Sequence, residues 1–401
     1  MEREGKSASK SIFSQLFKRY YKSSYLELPQ DLPLREIALQ PIDRDYYIRH
    51  LVFETEKQLL DYITGVHIPK HLYYSSAKYR DPGNQVMSEK GWLGSDLVFD
   101  IDANEIPQCI DKVIEAKFCK SCNYTAPRES SEKTCPLCGG QLEKFEHVEP
   151  DCIKLAFEYL RNLVDIVEND FGFYKYKASF SGNRGFHLIV ELNSPYDTMD
   201  SESRRELVSY IVLGDAYKKI VKNMYVTSES KKGLVYPLPR IGDGGIRRRI
   251  ARALLKKVTD VRLKEFLLNR LDEIESNKLV QLASILTSDI DEVLNEISIP
   301  IDSKVTIDTS HLVRIPNSLN GKTGWKAFLI KDLSNFELNN YEVSIEDVSE
   351  FFKIKIIVDI PTITIIDRTF KVRRGDIMEL EYAYASYFVF KGVAELLSIV
   401  R

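Results

Sequence analysis

Cys119 and Cys122, followed by Cys135 and Cys138, form two C-x2-C pairs separated by 12 residues. Each pair can present two thiolates to one cation, and two pairs complete a tetrahedral set, so this stretch is expected to fold around Zn²⁺. Four thiolates leave no open coordination position, which makes the expected role structural. The segment between the pairs, NYTAPRESSEKT, is too polar to build a core, and the metal would substitute for one. Gly139 and Gly140 supply the turn after the second pair. The expected zinc knuckle covers residues 117–142. Clustering of four of the six cysteines points to metal rather than disulfides, and Cys109 and Cys152 are expected to be ordinary buried thiols.

The rest of the chain has material for a conventional core. Apolar residues make up 44% and charged residues 29% of 401 positions, which excludes a disordered chain and predicts two to three domains. A net charge of −3 argues against a histone-like coat of positive charge but leaves room for a local basic cleft. The most apolar run, residues 354–366, is interrupted by Lys355, Asp359 and Pro361, so no membrane span is expected. The opening MEREGKSASKS lacks the apolar region of a secretion signal, and a cytoplasmic protein is expected.

Periodicity divides the chain further. Residues 11–21 and 55–64 have helical spacing, and Pro69 begins an extended, Tyr-rich segment. Residues 91–102 follow a Gly turn and end in an apolar strand. Pro150-Asp151 marks a helix start, with Ala156, Phe157, Leu160, Leu163, Val164 and Val167 on one face. Two strands, residues 173–180 and 186–192, flank the turn SGNRG. Residues 200–298 read as a helical insert. Residues 299–330, with SKVTIDTSHLVRI, read as a return to β structure, and residues 354–401 as strand-rich.

Three segments carry chemistry. In LVFDIDA, Asp100 and Asp102 stand two apart on a strand, so both carboxylates face the same way, roughly 7 Å apart. Two such anions repel unless a cation separates them, and Mg²⁺ or Mn²⁺ suits oxygen ligands; the plainer alternative is a strand end meeting solvent. In S-G-N-R-G-F-H, residues 181–187, the Gly-flanked turn exposes backbone N–H groups, Arg184 adds a bidentate grip on an anion, Ser181 a hydroxyl, and His187 opens the next strand. That set suits a triphosphate, against the alternative of a solvated hairpin. Between residues 301 and 324, Asp302 and Asp308 are candidates to join the first carboxylates, and Arg314 and Lys322 are candidates for phosphate. The most basic stretch, GIRRRIARALLKK at residues 245–257, could lie along a template or partner, or be a solvated helix face.

Taken in order, YYSSAKY, EKGWLGSDLVFDIDA, the cysteine pairs, SGNRGFHL and VTIDTSHLVRIPNSLNGKTG resemble the catalytic, small subunit of archaeal and eukaryotic DNA primases over most of residues 10–330. The resemblance implies a mixed α/β fold: a mixed-sheet catalytic domain over residues 1–199 and 299–350, with the helical insert at 200–298; residues 351–401 lie outside the motif region and are expected to form a small β-rich module. It implies a nucleotidyl transferase that uses two divalent ions to build primers on a single-stranded DNA template from NTPs or dNTPs. By motif, Asp100, Asp102 and a third aspartate would be the catalytic metal ligands, and counting back from the SLxG turn favours Asp302 over Asp308. Ser181, Arg184 and His187 would hold the nucleotide's phosphates, with Arg314 and Lys322 adding charge. A primase large subunit is the implied partner, with no membrane involved and the nucleoid as the working location. The family usually has His in the SLHG turn; here Asn320 can donate a hydrogen bond but cannot carry charge. The competing functions are a primer-extending repair or translesion polymerase of the same superfamily, and a zinc-ribbon scaffold that binds nucleic acid without catalysis.

Overall fold

In the computed structural model, which describes residues 2–122, 124–127, 130–225, 238–345 and 350–400, the segment LVFDID is the strand Leu97–Asp102. Leu97, Phe99 and Ile101 are fully buried on one face, while Asp100 and Asp102 on the other stay partly exposed. This is the period-two pattern of a half-buried strand. It pairs antiparallel with Gly185–Val190, which pairs with Tyr176–Phe180 and then Phe328–Leu329 to complete a four-stranded sheet. Phe157, Phe180, Phe186, Phe328 and Phe336 pack together, with Phe186 and Phe336 centroids 5.0 Å apart. This aromatic cluster anchors both strands that flank the SGNRG turn.

A second antiparallel sheet runs in the order Leu312–Arg314, Pro69–Ser75, Ile37–Pro41, Ile48–Leu51. Here the motif residues around YYSSAKY and EKGWLGSD serve buried ion pairs. Arg35 bonds Asp96 at 2.8 Å and the carbonyl of Ser75 at 3.1 Å. Lys90, fully buried, bonds Glu36 at 2.7 Å. Burial alone would raise the Glu36 carboxyl, but hydrogen bonds from Arg49 and Lys90 outweigh it and hold the group below its ordinary value.

The chain divides into two compact units. The first comprises Met1–Glu158, Tyr176–Met199 and Asp308–Arg401, and contains both sheets. Residues 351–401 contribute a three-stranded antiparallel sheet, in the order Ile377–Glu381, Phe351–Ile356, Ala394–Val400. They also contribute the helix Tyr382–Phe390, where the sequence reading had expected strand. YAYASYFVF is apolar on every side, so it carries no helical stripe, and the buried helix it forms has no solvent face to reveal its period. Trp325 Nε1 donates to Ala383 O at 2.8 Å and Tyr382 Oη donates to Gly324 O at 2.7 Å, tying this helix to the turn that follows Asn320.

Two further expectations are corrected. Cys109 and Cys152 are not free thiols; they form a disulfide across a sequence separation of 43. Cys152 sits in the first turn of the helix Pro150–Asn169, which brings its Cα to 5.9 Å from that of Cys109. Residues Ser303–Ile307 form a short helix rather than a strand, with the Asp302 carboxylate accepting the Lys304 N–H at 2.9 Å. Within SKVTIDTSHLVRI only Leu312–Arg314 is a strand, and Phe328–Leu329 is the next.

The second unit, Tyr159–Lys175 and Asp200–Ile307, is helical among its described residues. Its core gathers Ile250, Leu254, Leu263, Leu282, Leu286 and Val293. The basic side chains of the helix Gly245–Lys257 have partners within their own unit. Arg247 pairs with Asp243 at 2.7 Å, Arg248 with Asp170 at 2.6 Å and Arg252 with Asp165 at 2.7 Å. Lys256 and Lys257 pair with Glu296 and Glu292 at 2.8 and 2.7 Å. Arg249 is buried and donates to the carbonyls of Ile211 and Tyr210 at 3.0 and 3.2 Å.

Candidate active site

The register of Leu97–Asp102 against Gly185–Val190 sets the site. Asp100 lies opposite His187, and Asp102 opposite Gly185. His187 Nε2 stands 3.7 Å from Asp100 Oδ1, and Arg184 NH2 stands 3.7 Å from Asp102 Oδ2. All four side chains are between 16% and 31% exposed, so the cluster is reachable but largely desolvated. Burial, with the charges of Arg314 and His311, pushes His187 down to about 3, which keeps its imidazole neutral near pH 7. His187 therefore offers hydrogen bonds rather than positive charge.

The turn SGNRG is held from several sides. Ser181 N–H donates to Gly185 O at 2.9 Å, and Gly185 N–H donates back to Ser181 Oγ at 3.1 Å. Gly182 has φ +76°, and a Cβ there would lie 3.1 Å from the backbone of Trp325 and Ala327. The S-L-N-G-K-T-G turn thus lies directly against it. Asn320 Nδ2 donates to Ser181 O at 2.8 Å, and Thr323 Oγ1 donates to Gly182 O at 2.5 Å. Asn320 Oδ1 also accepts the Lys322 N–H at 3.0 Å. The amide of Asn320 is a clasp between the two turns. Lys322 itself is exposed.

Arg314 is buried. It donates from NH1 to Leu319 O at 2.9 Å and from NH2 to Tyr73 Oη at 2.8 Å, with NH2 also 3.0 Å from His71 Nδ1. Desolvation, reinforced by Arg314, Lys70 and Lys322, pushes His71 down to about 2, so a neutral ring meets the guanidinium. Arg314 braces the SLNG turn and adds its charge to the site from behind.

Three neighbours had no sequence signal. Glu146, on the strand Glu143–His147, forms an ion pair with Arg184. Asn183 is buried, with its Oδ1 3.2 Å from Lys391 Nζ. Lys391 itself arrives from beyond the recognised motifs.

Of the two candidates for a third carboxylate, Asp308 lies in the first unit and Asp302 in the second. Asp308 accepts from Ser310 N and Oγ at 2.8 and 2.7 Å. Hydrogen bonding from His311, and then from Ser310, pushes Asp308 down to about 2.

The cysteines converge as the spacing predicted. The sulfur atoms of Cys119 and Cys138 are 3.4 Å apart, those of Cys122 and Cys135 3.3 Å, and all four lie within 4.8 Å of one another. A tetrahedron with metal–sulfur bonds of about 2.3 Å has edges of about 3.8 Å, so the cluster fits a zinc-sized ion. It projects from the three-stranded sheet Thr125–Ala126, Ile114–Phe118, Glu143–His147.

The chain is a nucleotidyltransferase, a class in which paired carboxylates facing an arginine- and glycine-bearing turn are expected. Residues 146–330 match the family model described as DNA primase small subunit. The chain is 34% identical over 395 residues to the "DNA primase small subunit PriS" of Saccharolobus islandicus, covering 98% of this chain and 97% of that protein. It is 32% identical over 396 residues to the protein of that name from Saccharolobus solfataricus, with 98% and 97% coverage. For that of Staphylothermus marinus the figures are 33% over 399 residues, 98% and 96%. The chain belongs to the DNA primase small-subunit family, the catalytic subunits that synthesise primers.

Proposed function

We propose that this chain makes primers on single-stranded DNA by two-metal nucleotidyl transfer, with Asp100 and Asp102 as ligands of divalent cations. The observation that carries the reading is the cross-strand register that sets these two carboxylates against His187, Gly185 and Arg184. The donor set fits Mg²⁺ or Mn²⁺: both residues offer carboxylate oxygens, both face one side of the strand, and residue 185 presents no side chain to cover them. When bound, such ions lower the barrier by activating the attacking 3′-oxygen and neutralising charge on the leaving pyrophosphate.

The protein's own groups do the positioning. Arg184, oriented by Glu146 and Asp102, presents a guanidinium to phosphate oxygens. Ser181 keeps its hydroxyl proton available, because its Oγ acts as acceptor toward Gly185. His187 contributes a neutral hydrogen bond, and Lys322 a solvent-facing cation. For the third carboxylate we take Asp302, on its motif position.

Zn²⁺ is the metal assigned to Cys119, Cys122, Cys135 and Cys138, in a purely structural role. The term small subunit in the relatives' names supports a large-subunit partner. Among the described residues no helix is long and apolar enough to cross a membrane, and a cytoplasmic location is part of this reading. The test is an unprimed single-stranded template with labelled NTPs and dNTPs, with and without Mn²⁺. Wild type should yield product from single nucleotides, and Asp100→Ala and Asp102→Ala should each lose it while melting normally. Full product from either variant refutes the assignment.

A further inference from the structure

Lys391 caps the C-terminus of the helix Tyr382–Phe390, its N–H donating to Tyr387 O at 2.9 Å. Its side chain runs over the Tyr387 ring, 5.2 Å from the centroid, and Nζ donates to Asn183 Oδ1 at 3.2 Å within the SGNRG turn. In the same unit Lys120 pairs with Glu143, Lys70 with Asp45 at 3.2 Å, and Lys78 with Asp197 at 3.7 Å. Among the described residues Lys391 has no carboxylate within ion-pair distance.

Burial first, and then the charges of Arg184 and Lys322, which outweigh that of Asp102, push its ammonium down to about 7. A half-buried lysine held beside two cations, with an amide oxygen as its only hydrogen-bond acceptor among the described residues, is a poor structural element. It is a good anion contact, since an arriving polyanion would satisfy all three cations together. Lys391 lines one cavity together with Asn183 and Arg184 of the SGNRG turn.

We infer that the Lys391 ammonium contacts the phosphate chain of the incoming nucleoside triphosphate, so that a residue from the 351–401 segment completes the nucleotide site. This rests on the nucleotide-binding reading of the Asp100–Arg184 cleft. The charge comes from Lys391 because Asn320, at the facing turn, is neutral and already committed to Ser181 and Lys322.

The experiment is calorimetric titration of the full chain with inorganic tripolyphosphate and with ATP, each with and without Mn²⁺. It compares wild type, Lys391→Met and Lys391→Arg, alongside melting temperatures and binding of a labelled single-stranded oligonucleotide. Lys391→Met should weaken tripolyphosphate and ATP roughly tenfold to a hundredfold, the scale of losing a charged hydrogen bond. Lys391→Arg should recover most of that affinity. Oligonucleotide binding should be unchanged, and the Lys391→Met melting temperature should be equal to or above wild type. Equal tripolyphosphate affinity in wild type and Lys391→Met overturns the inference, as does a loss confined to the oligonucleotide, which would place Lys391 on template phosphates. If wild type itself binds neither tripolyphosphate nor ATP, the nucleotide-site reading falls as well.

Discussion

Asp102 and Gly185 are register partners on adjacent antiparallel strands, and the Asp102 carboxylate occupies the volume that a side chain at residue 185 would need. A Cβ there would collide with Asp102 Oδ1 and with the carbonyl oxygen of Ile101. The glycine of the SGNRG turn is therefore also what lets an acidic side chain lie flat across the neighbouring strand. Turn and carboxylate belong to one device.

Gly185→Ala tests this coupling. The added methyl must displace either the Asp102 carboxylate or the strand pairing. A displacement of about 1 Å at a reacting centre can lower turnover by about a hundredfold. We expect nucleotide incorporation to fall by at least about tenfold, with a far-ultraviolet circular dichroism spectrum like that of wild type. Incorporation at the wild-type rate would show that Asp102 does not need the space.

The cysteine cluster makes a separate prediction, because it contributes no group to the Asp100–Arg184 cleft. Cys119→Ser replaces a soft thiolate by a hydroxyl that binds Zn²⁺ poorly. The variant should contain less zinc by elemental analysis and melt at a lower temperature. Chelator treatment of wild type should reproduce that melting temperature. A variant that keeps full zinc stoichiometry removes Cys119 from the ligand set.

The short-range features of this site could be read from the sequence because each lies within a few residues: the alternation in LVFDID, the glycines around Arg184, and the C-x2-C spacing. The features that escaped join distant parts of the chain. Lys391 meets Asn183 across 208 positions, and Cys109 meets Cys152 across 43. No local pattern in KGVAE or in EPDCIK signals either meeting. The helix Tyr382–Phe390 escaped for a different reason, since a segment buried on all sides has no periodic contrast between faces. The run GIRRRIARALLKK shows the same limit, since its acidic partners Asp165, Asp170, Glu292 and Glu296 lie elsewhere in the unit and no local pattern announces them.

The depressed Lys391 gives a pH signature in stability. Its ordinary value of 10.5 applies to the unfolded chain, and the folded value is about 7. The groups facing it are Arg184, Lys322, Asp102, His147 and Tyr387, with the Lys120–Glu143 pair beside Gly392. Between the two values the unfolded chain binds more protons than the folded one, so this residue makes stability rise as pH rises through that window. Below the folded value the penalty of burying the charge is fully present; above 10.5 it is gone. Lys391→Met has no such penalty. Its melting temperature should exceed that of wild type most at about pH 6 and converge on it toward about pH 10, other titrations cancelling in the difference. A difference that stays constant with pH would show that Lys391 carries no charge penalty in the folded protein.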